Sequence, residues 1–275
     1  GGKPGRGVGP SDTEGNDLFA LSEHGVLATT VGDAALGFFV LAGRAPQRLV
    51  PPQRLRVACS LRSPVPGVWP DNGARRSLSA AARTLVALGH DAVWAHPAYP
   101  VTAGVRSLAT WFATAHVEAE AAGVDVDDLQ PRSRRQVALG RFAIGRGLVR
   151  EVDRAAWREQ CRDWFATSRV DVLVTPALAS APPRAADWAA RSWSANVATT
   201  LRYAPYAAPW NVAGFPAVVV PVGVRSDGLP AAVQLVGPPG SELTLLAVAG
   251  QMEQLSPWRR HAPGWPRGGG RRWRP

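Results

Sequence analysis

The chain has 275 residues, 46% of them hydrophobic and 19% charged, which excludes a largely disordered polymer and is enough to bury one large core or two small ones. Its formal charge is +10, but six of those units are Arg259, Arg260, Arg267, Arg271, Arg272 and Arg274, in a Gly/Pro-rich end that carries no acid. The rest has an ordinary charge balance, and neither a stacking module nor a recognition helix accompanies the basic end, so no nucleic-acid partner is expected.

Residues 1–258 read as the folded domain and 259–275 as an Arg/Gly-rich tail expected to be disordered. Cys59 and Cys161 are far apart and form no C-x-x-C pair, which argues against a disulfide framework or zinc site and fits a reducing, cytoplasmic setting. The longest apolar stretch, "VAGFPAVVVPVGV", is too short and too broken by proline to span a bilayer, so no membrane partner is expected.

The first element in chain order lies in "TTVGDAALGFFVLAG", where Val31, Ala34, Ala35, Phe38 and Ala42 share a helical face. Thr30 and Asp33 have capping-box spacing and Gly43 ends the pattern. Beyond the proline-rich break "RAPQRLVPPQ", the run "LRVACS" reads as a buried strand. Ala74, Leu78, Ala81, Leu85 and Leu88 then mark a helix from Asp71 to Leu88, closed by Gly89. "DAVWA" is the next strand, which makes strand–helix–strand the unit and a parallel crossover its expected geometry.

From Thr102 to Arg169 the pattern is mostly helical, with Trp157, Cys161, Trp164 and Phe165 on one face, and "DVLVT" follows as a strand. "AVVVPV" and "AAVQLV" are expected to pair as a hairpin about Asp227-Gly228. "SELTLLAVAGQMEQL" is the last helix, with Ser241 as its cap and Glu242 in its first turn. The fold class is therefore α/β, a mixed β-sheet flanked by helices.

Several familiar constellations are excluded. The opening "GGKPGRGVGP" fails as a phosphate loop, because Lys3 precedes most of the glycines and no helix pattern follows. The nucleophile elbow G-x-S-x-G is absent. Ser22, Glu23 and His24 are adjacent, whereas a triad is assembled from separate loops. His90, His96, His116 and His261 have no ligand spacing and are expected at the surface or a pocket edge, so no metal site is expected. Asp125, Asp127 and Asp128 lack the glycine and terminal glutamate of a calcium loop and are expected to cap or solvate a turn.

Five stretches, in order, resemble the amidase signature family, whose members hydrolyse amides with a serine nucleophile. "GGKPGRG" is similar to its G-L-K-P-T-x-G turn, and "HGVLATTVGDAALGFFVLAG" to its R-T-V-x-D-A-A-L-x-x-x-V-L-A-G segment. "DVLVTPALASAPP" is similar to its D-x-L-x-T-P strand and loop, and "APWNVAGFPAVVVPVG" to its P-x-N-x-A-G-x-P-A segment. "DGLPAAVQLVGPPGSELTLLAVA" matches D-G-L-P-x-x-x-Q-x-x-G-P-x-x-x-E-x-x-L-L. Gly2, Gly5, Gly9 and Thr29 depart from the family pattern.

The resemblance implies an amidase signature fold lacking its N-terminal part. In the family, a lysine, a serine in a cis peptide and the nucleophilic serine all precede the turn that Lys3 occupies, and Lys3 matches the turn's own lysine. No catalytic residue is therefore expected in this chain, and no amide turnover by it alone. Trp210 and Asn211 are the candidate substrate-pocket residues, with a core role the more expected of the two, and the helices between Thr102 and Arg169 would roof the pocket. A small-molecule amide is the implied ligand, no cofactor is implied, and oligomerisation stays open. The alternative is a non-catalytic ligand-binding or partner subunit of the same fold.

Overall fold

The computed structural model describes residues 1–9 and 23–261. Among them, six strands form one mixed sheet in the order β1-β5-β6-β4-β2-β3. The strands are β1 (Gly2–Lys3), β2 (Arg56–Cys59), β3 (Asp91–Trp94), β4 (Val172–Pro176), β5 (Ala217–Val224) and β6 (Pro230–Val236). β2 runs parallel to both β3 and β4, while β6 is antiparallel to β4 and β5, and β1 is antiparallel to β5.

Strand alternation sorts the sheet into two cores. Val57, Cys59, Val172, Val174, Val233 and Leu235 face helices α1 (Val31–Leu41), α2 (Asn72–Ala87) and α8 (Glu242–Leu255). On the other side, Ala58, Leu173, Ala217 and Val236 meet α5 (Glu151–Ser168) and α7 (Ala208–Ala213). Side chains of a strand point alternately up and down, so a strand covered on both faces must be apolar throughout, which is how "DVLVT" reads.

The anticipated helix ends are built as their sequences suggest. The Thr30 hydroxyl accepts from the Asp33 amide at 3.1 Å and donates to its carboxylate at 2.6 Å. The Asp71 carboxylate accepts from the Ala74 amide at 2.7 Å. α3 (Val101–Ala121) and α4 (Pro131–Gly145) pack as a pair. Gly140 makes that approach possible, because a Cβ there would lie 2.1 Å from the carbonyl oxygen of Phe112. Asp125 accepts from the Asp127 amide and so caps a short 3-10 turn over Val126–Asp128.

Three expectations need correction. The Ser241 side chain makes no capping bond to α8, and its Oγ is buried without a partner. α6 (Trp193–Tyr203) and α7 have no counterpart among the anticipated elements, because their apolar residues are interrupted by Thr, Asn and Pro. His90 is buried and not at the surface. Its Nδ1 accepts from the Leu55 amide at 3.2 Å, so the ring proton is on Nε2, 3.3 Å from Gln251 Oε1, and the ring cross-links a loop to α8. Tail residues 262–275 and Ser22 lie outside the described residues.

Candidate functional site

The glycine-rich opening packs against the α7–β5 junction and the start of α8. Lys3 donates its ε-ammonium to the carbonyl oxygen of Phe215. Burial pushes its pKa down to about 8, against the pull of Glu23 and Glu242 and with a smaller push from Arg6. The Gly5 amide donates to Glu242 Oε1 at 3.0 Å, and a Cβ on Gly5 would stand 2.9 Å from that oxygen. The Arg6 amide donates to the Gly214 carbonyl at 3.0 Å, while its guanidinium pairs with Glu23 at 3.3 Å. One carboxylate from α8 and another from residue 23 thus offset two cations held against a loop.

α7 is only six residues long and is held from outside. Arg154, Trp157 and Arg158 of α5 donate to the carbonyls of Val212, Pro209 and Ala213, at 3.3, 2.9 and 3.1 Å. The two arginines lie where the short helix presents its unpaired C-terminal carbonyls. Gly214 then turns the chain with φ of +70°, a left-handed conformation that glycine adopts without a Cβ penalty. Trp210 is 1% exposed. It packs against Phe165, Phe215 and Tyr99, with ring centroids 6.3, 5.9 and 6.4 Å away. Asn211 is half-buried, and its carbonyl lies 3.5 Å from an Arg6 nitrogen.

The far end of β4 and β6 carries a second polar lattice. Gln234 donates to Thr175 Oγ1 and to the Tyr206 carbonyl at 3.3 and 3.2 Å, and the Tyr206 hydroxyl donates to the Leu61 carbonyl at 3.0 Å. Arg225 grips Asp71 with two bonds of 2.7 and 3.3 Å. Partial burial alone would raise the Asp71 pKa, but Arg225 and the Ala74 amide hold the carboxyl below its usual range.

Residues 1–246 of the chain match the Amidase family. The chain belongs to the amidase family. This amidase-family chain is 34% identical over 259 residues to the AmiB2 protein of Mycobacterium tuberculosis (strain ATCC 25618 / H37Rv), covering 88% of itself and 54% of that protein. It is 28% identical over 298 residues to the 6-aminohexanoate-cyclic-dimer hydrolase of Paenarthrobacter ureafaciens, covering 95% of itself and 60% of the relative. A solved structure of 6-aminohexanoate cyclic dimer hydrolase complexed with substrate superposes with a TM-score of 0.78 at 26% identity, over 96% of this chain and 61% of that one. A bacterial aryl acylamidase of the amidase signature family shares the fold, with a TM-score of 0.70 at 20% identity, over 94% of this chain and 58% of that one. The chain spans between half and two thirds of the length of these relatives.

Within this amidase-family chain the residues singled out from sequence take different places. Trp210 is at the centre of the second core and also forms part of the wall of a recess with Trp157 and Trp164. Asn211 lies on the Lys3–Arg6 side of the same short helix. Glu23 is committed to Arg6, and His24 is exposed. Among the described residues no group of three or more His, Cys, Asp or Glu could hold a metal ion, and no helix is long and apolar enough to cross a membrane. Sequence reasoning missed Arg6, Tyr99, Tyr206, Gln234 and the binding role of Glu242. Gln234 and Glu242 stand at the matched Q and E of the last motif, a signal that was available.

Proposed function

We propose that this chain is the C-terminal, substrate-walling portion of an amide hydrolase, and that by itself it does not turn over amides. Family membership across residues 1–246 carries the first half of the reading. The second half is supported by Lys3, the one lysine in the sequence, whose amine is spent on the Phe215 carbonyl within a cluster of carboxylates. An amine so engaged is poorly placed to draw a proton from a serine. The turn that Lys3 anchors would set the wall of the site, Trp210 would brace it, and the half-buried Asn211 would contact a small-molecule amide. The α3–α4 pair would roof the pocket and select the substrate. Cys59 and Cys161 are buried free thiols, which supports a reducing, cytoplasmic setting.

Ammonia release from acetamide and benzamide, and amine release from the cyclic dimer of 6-aminohexanoate, test the reading. The purified chain is expected to give no rate above buffer. The same chain joined to the N-terminal portion of the Paenarthrobacter hydrolase is expected to hydrolyse at least one of them. Turnover by the chain alone overturns the inactive half. A folded but inert chimera overturns the hydrolase half and favours the alternative, a ligand-binding or partner subunit.

A further inference from the structure

Helices α3, α4 and α6 line an open recess of about 540 Å³, its mouth included, a size within the range of small-molecule sites. Trp111 of α3 and Trp193 of α6 supply its aromatic surface. Both indoles pack on Phe112, with ring centroids 5.4 and 5.5 Å away, so one phenyl ring braces the pair. Arg132, Ser133 and Gln136 from the first two turns of α4, with Thr200 of α6, bring polar groups to the lining. Among the described residues no carboxylate lines the recess.

The polar groups here are accessible and unengaged. The indole N–H groups of Trp111 and Trp193, the Ser133 hydroxyl and the Gln136 amide make no hydrogen bond to any described residue, and each is open to solvent. Arg132 donates its Nε to Gln130 Oε1 at 3.0 Å, which leaves both terminal nitrogens for a ligand. The Thr200 hydroxyl gives its proton to the Asn196 carbonyl at 3.1 Å and keeps its oxygen as an acceptor. A plain aromatic ring or alkyl chain seated in the recess would leave these donors and acceptors without partners. A sugar ring has the matching chemistry: a C–H face for an indole, and a rim of hydroxyls that both donate and accept, as the Gln136 amide and the Ser133 hydroxyl do. One guanidinium facing no carboxylate favours a ring that also carries an acid.

We infer that this recess is a binding site for a hexuronate, a pyranose sugar bearing a carboxylate. The face of the sugar packs on the indoles, Gln136 and Ser133 meet its hydroxyls, and Arg132 pairs with its carboxylate. The assignment goes beyond the amide-hydrolase reading and does not depend on it, because it concerns binding to this chain alone.

Saturation-transfer NMR, which also works on self-associating protein, tests it with three probes: methyl β-glucuronide, methyl β-glucoside, which lacks the carboxylate, and cyclohexanecarboxylate, which lacks the hydroxyls. The glucuronide is expected to bind tightest, with a Kd of about 1 mM, and each of the other two about fivefold more weakly. Arg132→Gln, at an exposed side chain, is expected to remove the advantage of the glucuronide over the glucoside. Gln136→Ala is expected to shrink its advantage over cyclohexanecarboxylate while keeping that of the charge. Circular dichroism checks that each variant is folded. Glucuronide binding no tighter than either control, no binding of it at about 20 mM, or binding that both substitutions leave unchanged, overturns the inference. A chain that binds the glucuronide but completes no active hydrolase keeps this inference and loses the functional one.

Discussion

Lys3 and Phe215 are 212 positions apart in sequence, and the ammonium of the first caps the carbonyl of the second. The bond ties the opening turn to the exit of α7, and it comes at an electrostatic cost. Burial lowers the Lys3 pKa to about 8 from 10.5, so the folded chain holds the proton less tightly than the unfolded one. The penalty is present in full below pH 8 and is relieved as pH rises from the folded towards the unfolded value. Above pH 9 the raised thiol pKa of Cys59, driven by burial, acts in the opposite direction. Chemical denaturation at pH 8 and pH 9 is therefore expected to show the native chain gaining about 1 kcal/mol relative to Lys3→Met. Parallel pH dependences for the two proteins would refute it.

Asp71 does three tasks with one carboxylate: it caps α2, accepts from the Ala181 amide at 3.2 Å and pairs with Arg225. Asp71→Ala is expected to cost about 2 kcal/mol in urea unfolding, chiefly through the lost cap, since the pair with Arg225 is partly solvated. The stabilisation belongs to the ionised form, so it is present above the ordinary carboxylate range and fades as pH falls through the lower folded value. Gly73→Ala is expected to reproduce part of the loss, because its Cβ would lie 2.3 Å from an Arg225 nitrogen. A Gly73→Ala protein as stable as the native one would show that Arg225 moves aside without loss.

The hydroxyl of Tyr206 and the amide of Gln234 are inside the fold, where an unpaired partner cannot turn to water. Tyr206→Phe leaves only the Leu61 carbonyl unmatched and is expected to cost about 1 kcal/mol, while Gln234→Leu strips a bond from both Thr175 and Tyr206 and is expected to cost about 2–3 kcal/mol. Equal costs for the two variants in thermal unfolding would contradict the lattice as described.

Trp210→Ala removes the ring on which Tyr99, Phe165 and Phe215 converge and is expected to cost about 3–5 kcal/mol. Recovery of most of that loss in Trp210→Phe would identify packing as its cause.

The fold leaves apolar groups uncovered: Leu27 and Trp69 in loops are 92% and 77% exposed, Trp94 on the edge strand β3 is 61% exposed, and β1 pairs with only the first residues of β5. Bare strand edges beside apolar side chains recruit other chains. Sedimentation of the isolated chain is expected to show association above the 29.1 kDa monomer. A single monomeric species with a sharp, reversible thermal transition would count against this.

Local patterns told which segments are helices and strands wherever periodicity ran unbroken, as in Ala74–Leu88 and "DVLVT", because burial on one or both faces writes itself into residue spacing. The short α7 escaped notice because its stability comes from Arg154, Trp157 and Arg158 on another helix. His90 was misjudged for a related reason: a lone histidine carries no sign of the Leu55 amide and Gln251 side chain that make it welcome inside. Five ordered motifs were enough to name the family, since they preserve turns and strand ends whose chemistry is local. Only the tertiary structure decided that Lys3 is bound to Phe215, that Glu242 serves Gly5 and that Trp111 and Trp193 line one recess. Such pairings join residues up to hundreds of positions apart, and no spacing along the chain encodes a distance across it.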